Sequence, residues 1–194
     1  MKFEENKMYS FAEKLFPICR SLTGKGVRLT LNMIKEILPQ LKIYSVSSGT
    51  KSYDWKIPNE WNITEGYIED QNKNRIIDFK DNNLHVIGYS QPVNKILKLS
   101  ELKKHIFTLP KQPLAIPYIT SYYKKRWGFC MSHSDFLKLK DQEYKVVIKS
   151  SLKKGKMNYA ELYLPGKLSK KEILLTTYFC HPSMANDNLS ELFY

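Results

Sequence analysis

Apolar side chains recur at three- and four-residue steps along the first twenty residues. Met8, Phe11, Ala12, Leu15, Phe16 and Cys19 fall on one side of a 3.6-residue period, which predicts an amphipathic helix over 4–21. The run "SLTGKG" (21–26) breaks that period with two glycines. A second helix is predicted over 27–38, with Val27, Leu31, Ile34 and Leu38 on its apolar face and Pro39 as its stop. The pattern then switches to alternation in "LKIYSVSSG" (41–49), a predicted strand that ends at Gly49. Arg20, Thr23 and Gly24 lie between the two helices, where the glycines would let the backbone approach a substrate, but the expected role is a helix–helix turn, and the spacing is not that of a phosphate loop.

From Thr50 to Leu139 the texture changes to aromatics, Asn, Pro and short extended runs. This predicts a β-rich insertion, with "NKN" (72–74) as a turn between two strands. Within it, "LSELKKHIFTLP" predicts a short helix capped by Ser100 and closed by Pro110, and another short helix is predicted to begin at Ser134. The aromatic-basic run "YYKKRW" (122–127) reads as a strand face with lysine stems laid on aromatics. Regular patterning resumes afterwards. Strands are predicted at 143–152, 158–166 and 172–180, with a turn at 155–157 and a connector at 169–171. The last strand, "EILLTTYFC", is mostly apolar, as expected when both faces of a sheet are covered. The expectation is an α/β fold in three sections: 1–49, an inserted 50–139, and a continuation over 140–194.

Charge narrows the function classes. The chain has 31 basic and 19 acidic residues, a net charge of +12. Only Arg20, Arg28, Arg75 and Arg126 are arginines; the remaining basic residues are lysines spread along the chain. Bidentate reading of phosphates and bases favours Arg, so a solvated lysine-rich surface is expected and nucleic-acid binding is not. No apolar run approaches the roughly 20 residues that a membrane helix needs, and no membrane association is expected. The charged N-terminus lacks a secretory h-region. Cys19, Cys130 and Cys180 are odd in number and form no CxxC pair, which fits a reducing cytoplasm.

The candidate chemistry lies near the end of the sequence. His181 directly follows the predicted strand 172–180, and ligands gather outside the carboxyl ends of strands in open α/β sheets. Asp187 lies six positions on, in Ala-Asn-Asp-Asn-Leu-Ser. A neutral imidazole and a carboxylate are a reasonable first pair of zinc ligands, and "PSMAN" supplies a loop to bring them together. The other reading is an N-cap aspartate beside a hydrogen-bonded loop histidine. His85 and His133 fall in the insertion and are not expected as ligands. Cys180 is expected as a buried thiol, because adjacent strand residues point to opposite faces.

The stretch "NYAELYLPGKLSKKEILLTTYFCHPSMANDNLS" resembles the core of the dinuclear zinc aminopeptidases. A closer resemblance is to bacterial aminopeptidase-like proteins often labelled polysaccharide biosynthesis proteins. "LFPICRSLTGKGVR", "SGTKSYDWKIPNEW", "IDFKDNNLHVIGYS", "IPYITSYYKKRWGFC" and "CHPSMANDNLS" all have counterparts there, in this order, up to Ser190. The resemblance implies that His181 is the first zinc-ligating histidine and Asp187 the aspartate bridging two metals. Such a pair of ions activates water and polarises a carbonyl. The implied reaction is hydrolysis of an amide, typically removal of an N-terminal amino acid from a peptide or another small amide substrate.

Two departures qualify this. Many such enzymes carry an Asp two residues after the first histidine to orient that ligand; here the position is Ser183, as in the closer subfamily. The family pattern also runs Asn-Leu-Ser-Gly into a further half-chain or more. That part carries the general-base glutamate, other acidic ligands, a final histidine and, in the closer subfamily, a winged-helix-like domain. Here Ser190 is followed by Glu191-Leu192-Phe193-Tyr194. The expectation is a truncated product that is inactive alone unless a second polypeptide completes the site. The alternative is a non-catalytic remnant or accessory binding protein linked to polysaccharide or glycoconjugate synthesis.

Overall fold

A computed structural model describes residues 5–167 and 171–190. Helices are α1 (Glu5–Leu15), α2 (Lys25–Ile37), α3 (Leu99–Leu102) and α4 (His133–Phe136). Strands are β1 (Lys42–Ser47), β2 (Lys51–Ser52), β3 (Trp55–Lys56), β4 (Glu60–Glu69), β5 (Arg75–Asp78), β6 (Val93–Lys98), β7 (Ile106–Phe107), β8 (Phe129–Cys130), β9 (Glu143–Lys153) and β10 (Lys156–Glu161). The chain is thus a mixture of helix and strand. It divides into two compact units, Met1–Asn59 with Lys154–Tyr194, and Glu60–Lys153. No helix of the described residues is long and apolar enough to cross a membrane.

The first unit contains α1, α2 and the antiparallel pair β1–β10, in register from Lys42 opposite Glu161 to Ser47 opposite Lys156. Tyr44 and Tyr159 face each other in this ladder and stack at 5.2 Å. Leu15, Val27 and Leu31 are buried, as the helical period requires, and Leu41 and Ile57 are buried outside the helices. Two glycines shape the entry to α2. Gly24 sits at φ 108°, a conformation that L side chains resist. Gly26 passes so close to the preceding chain that a Cβ would lie 1.9 Å from the Cys19 carbonyl oxygen.

The second unit is built on an antiparallel four-stranded sheet in the order β5-β4-β9-β6. Tyr144, Val146, Val147 and Ile148 of β9 are buried with Trp61, Tyr67 and Ile68 of β4. The indole Nε1–H of Trp61 donates to the Ser90 carbonyl at 2.9 Å, which satisfies a polar atom inside this core. The predicted turn at 72–74 is present: Asp70 accepts from the amides of Asn72 and Asn74, both at 2.8 Å, and Lys73 takes φ 63°.

Several expectations are corrected. Residues 172–180 form no strand, and Ile173, Leu174 and Leu175 are 89, 85 and 86 % exposed. An apolar run becomes a strand only when another strand pairs with it, and no strand of the described residues does so here. The strand predicted to reach 166 stops at Glu161. "YYKKRW" is irregular, with Trp127 stacked on His105 at 3.7 Å. Ser100 lies inside α3, whose N-cap is Lys98. Cys180 is half-buried. Residues 169–170 of the connector, and Glu191–Tyr194, lie outside the described residues.

Candidate metal centre

Pro182 and Ser183 turn the chain directly after His181. Proline fixes its own φ, and Ser183 enters the left-handed region at φ 47°, at a cost of about 1–2 kcal/mol for an L-residue. Met184 is extended, and Ala185–Leu189 close a single turn of π-helix, a rare geometry concentrated at functional sites. Asn188 and Leu189 are buried and anchor that turn.

The fold-back brings the sequence-predicted pair together. Nδ1 of His181 and Oδ2 of Asp187 lie 2.9 Å apart. The imidazole is largely covered, at 22 % exposed, whereas the carboxylate is 54 % exposed. Tyr178 completes the cluster. Its hydroxyl donates to Asp187 Oδ1 at 3.3 Å, and its ring meets the imidazole edge-on at 5.2 Å between centroids. Asp187 stands in the middle of the π-turn, and the N-cap is Met184, so the N-cap reading of the aspartate does not hold.

Two buried polar side chains hold the backbone around this pair. The Asn188 amide accepts from the His181 N–H at 3.3 Å and donates to the Tyr178 carbonyl at 3.0 Å. From the far end of the sequence, Nη2 of Arg20 donates to the His181 carbonyl at 3.0 Å. Burial lowers the Arg20 pKa to about 10, partly offset by the neighbouring Cys19 and Cys180 sulfurs, so the guanidinium stays charged at neutral pH. Burial pushes the Cys19 thiol up to about 12, despite the adjacent cation, and raises that of Cys180. Neither thiol is thereby primed as a nucleophile or metal ligand at neutral pH.

The donor chemistry suits zinc, which takes imidazole nitrogen and carboxylate oxygen. Two donors of one tetrahedral ion, each about 2.0–2.1 Å from it, stand about 3.3 Å apart. His181 and Asp187 therefore need to part by about 0.4 Å to share an ion. Two donors do not fill four positions, and no group of three or more His, Cys, Asp or Glu side chains forms a site among the described residues. His85 and His133 lie in the second unit, where His85 contacts the Cys130 carbonyl at 2.8 Å and His133 contacts the Thr108 hydroxyl at 3.0 Å.

Sequence reasoning proposed His181 and Asp187, which the fold brings together, and gave no role at this pair to Tyr178, Asn188 or Arg20. Tyr178 sits just before the motif and Asn188 inside it, and both carried a signal by proximity alone. Arg20 carried none, because 161 positions separate it from His181.

Comparison with known proteins bears on the whole chain. Residues 60–151 match a family described as a domain of unknown function (DUF2172). A Clostridium acetobutylicum protein named "Putative polysaccharide biosynthesis protein with aminopeptidase-like domain" is 52 % identical over 184 residues, 95 % of this chain and 42 % of its own length. A crystal structure of a "putative peptidase" from Clostridium acetobutylicum matches with a TM-score of 0.92 at 51 % identity, covering 96 % of this chain and 44 % of that one. The resemblance to the aminopeptidase-like proteins therefore holds along nearly the whole chain, which spans less than half the length of these relatives.

Proposed function

We propose that this chain, similar over nearly all its length to aminopeptidase-like proteins more than twice as long, supplies the opening portion of a zinc-dependent hydrolase acting on amide bonds. The observation that carries this is the 2.9 Å approach of His181 Nδ1 to Asp187 Oδ2, within the "CHPSMANDNLS" motif. Here Tyr178 holds one oxygen of Asp187 while the other faces the imidazole.

His181 and Asp187 would hold the metal. When bound, zinc supplies Lewis-acid polarisation of an amide carbonyl. Tyr178 keeps the Asp187 carboxylate turned toward the imidazole, and the buried Asn188 keeps the loop closed behind it. The missing donors and the proton-transfer group belong to polypeptide beyond the described residues, in the same chain or a second one. The substrate class is a peptide or another small amide. The free thiols Cys19, Cys130 and Cys180 fit a reducing cytoplasm as the site of action.

The test is reconstitution. The chain is combined with the portion of the Clostridium acetobutylicum relative that it does not match, with zinc, and offered aminoacyl 4-nitroanilides and dipeptides. Zinc-dependent release of the amino acid that disappears in His181→Ala is the expected result. Formation of the complex with no amide hydrolysis, or hydrolysis untouched by His181→Ala, overturns the proposal.

A further inference from the structure

Arg20 is fully buried and, among the described residues, has no carboxylate partner: its hydrogen-bond acceptors are main-chain carbonyls. Nη1 donates to the Leu15 carbonyl and, at 3.5 Å, to that of Ile18. Leu15 is the last residue of α1, so the cation sits at the negative end of that helix. Nη2 crosses to the His181 carbonyl at 3.0 Å, whereas Nε has no partner. Burying a charge without a counter-ion is costly, and an apolar side chain would fill the same volume without that cost. What the guanidinium adds is a rigid fork that ties three carbonyls together.

Both ends of Arg20 are fixed. A Cβ on Gly26 would lie 3.2 Å from the Arg20 Cα, so the first turn of α2 presses on the Arg20 backbone. The guanidinium is held by the end of α1. Two helix ends are thereby joined to the residue that carries the imidazole, and the loop that follows includes a left-handed serine that would otherwise relax.

We propose that Arg20 is a positioning residue for the metal pair, clamping the main chain of His181 to the ends of α1 and α2 so that the imidazole meets Asp187. This rests on the reading of His181 and Asp187 as metal donors. Groups that orient a ligand from behind typically change metal affinity by about 10–100-fold when removed.

The experiment titrates Zn²⁺ into the chain and into Arg20→Met, Arg20→Lys and Leu31→Ala, with thermal unfolding recorded for each. Leu31→Ala weakens the same core without touching the pair and is expected to keep its zinc affinity within about twofold of the parent. Folded Arg20→Met is expected to bind zinc at least about tenfold more weakly. The imidazole nitrogen shifts give a second readout: a Nδ1 preference set by the 2.9 Å approach to Asp187 is expected in the parent and its loss in the variant. Unchanged affinity in folded Arg20→Met overturns the proposal. If Arg20→Met does not fold, Arg20→Lys decides by the same criterion, since lysine keeps the charge but not the fork. If the parent binds no zinc, the metal reading fails and Arg20 is judged on the imidazole shifts alone. An unchanged Nδ1 preference in the folded variant then overturns its positioning role, and a lost one sustains it.

Discussion

His181 and Asp187, six residues apart, stand with Nδ1 and Oδ2 at 2.9 Å because Pro182, Ser183 and a single π-turn fold the chain back between them. Asp187 is half exposed, so its carboxylate adds little to stability. Asp187→Asn is expected to change the unfolding free energy by less than about 0.5 kcal/mol while weakening zinc binding at least about tenfold. Calorimetry with Zn²⁺ beside a denaturant melt checks both halves of this.

Asn188 is the opposite case. It is fully buried and serves two backbone groups at once, the His181 N–H and the Tyr178 carbonyl. Asn188→Leu strands both, and each unsatisfied buried group costs about 1–3 kcal/mol. A lowered unfolding midpoint, with faster amide exchange at His181, is the expected outcome.

Gly26→Ala tests the close approach of α2. Its Cβ would meet the Cys19 carbonyl at 1.9 Å, and backbone cannot move aside as a side-chain tip can. Destabilisation by about 1–3 kcal/mol is expected from overpacking, against the slight gain that Gly→Ala gives in an open helix position. Urea unfolding of the two proteins measures the sign.

Asp135 gives a pH dependence in the second unit. The Lys138 ammonium and then the Ser132 hydroxyl, each 2.7 Å from a carboxylate oxygen, hold its pKa below the ordinary 3.8. A depressed folded pKa contributes stability that is fully present above the unfolded value and lost as pH falls through the folded one. The stability difference between the protein and Asp135→Asn should therefore be flat above about pH 5 and shrink below about pH 4. The contribution is small, because the carboxylate is half exposed.

Cys130 is fully buried, and desolvation pushes its thiol up to about 12. It should resist iodoacetamide at pH 8 in the native protein and react only at the rate of unfolding. Mass spectrometry of the alkylated chain, with and without denaturant, reads this directly.

What the sequence revealed follows from how far each interaction reaches. The second helix and the strands at 42–47 and 143–153 were legible because 3.6- and 2-residue periods are local. The run at 172–180 has strand-forming composition, yet a strand exists only with a neighbour, and none of the described residues supplies one. His181 and Asp187 were named from a motif; the left-handed turn at Ser183 that joins them has no signature in a serine. The contact of Arg20 with His181 depends on how α1 and α2 pack, so "CRSLTGKG" read as a turn alone.

The central claim is that His181 and Asp187 together form a metal-binding pair. The most direct measurement is a Zn²⁺ titration of the isotopically labelled protein, followed at the imidazole nitrogens of all four histidines and at the carboxyl carbon of Asp187. The account predicts saturable shifts at His181 and Asp187 with His85, His105 and His133 unmoved. Shifts centred on those other histidines, or none at His181 and Asp187, would contradict it.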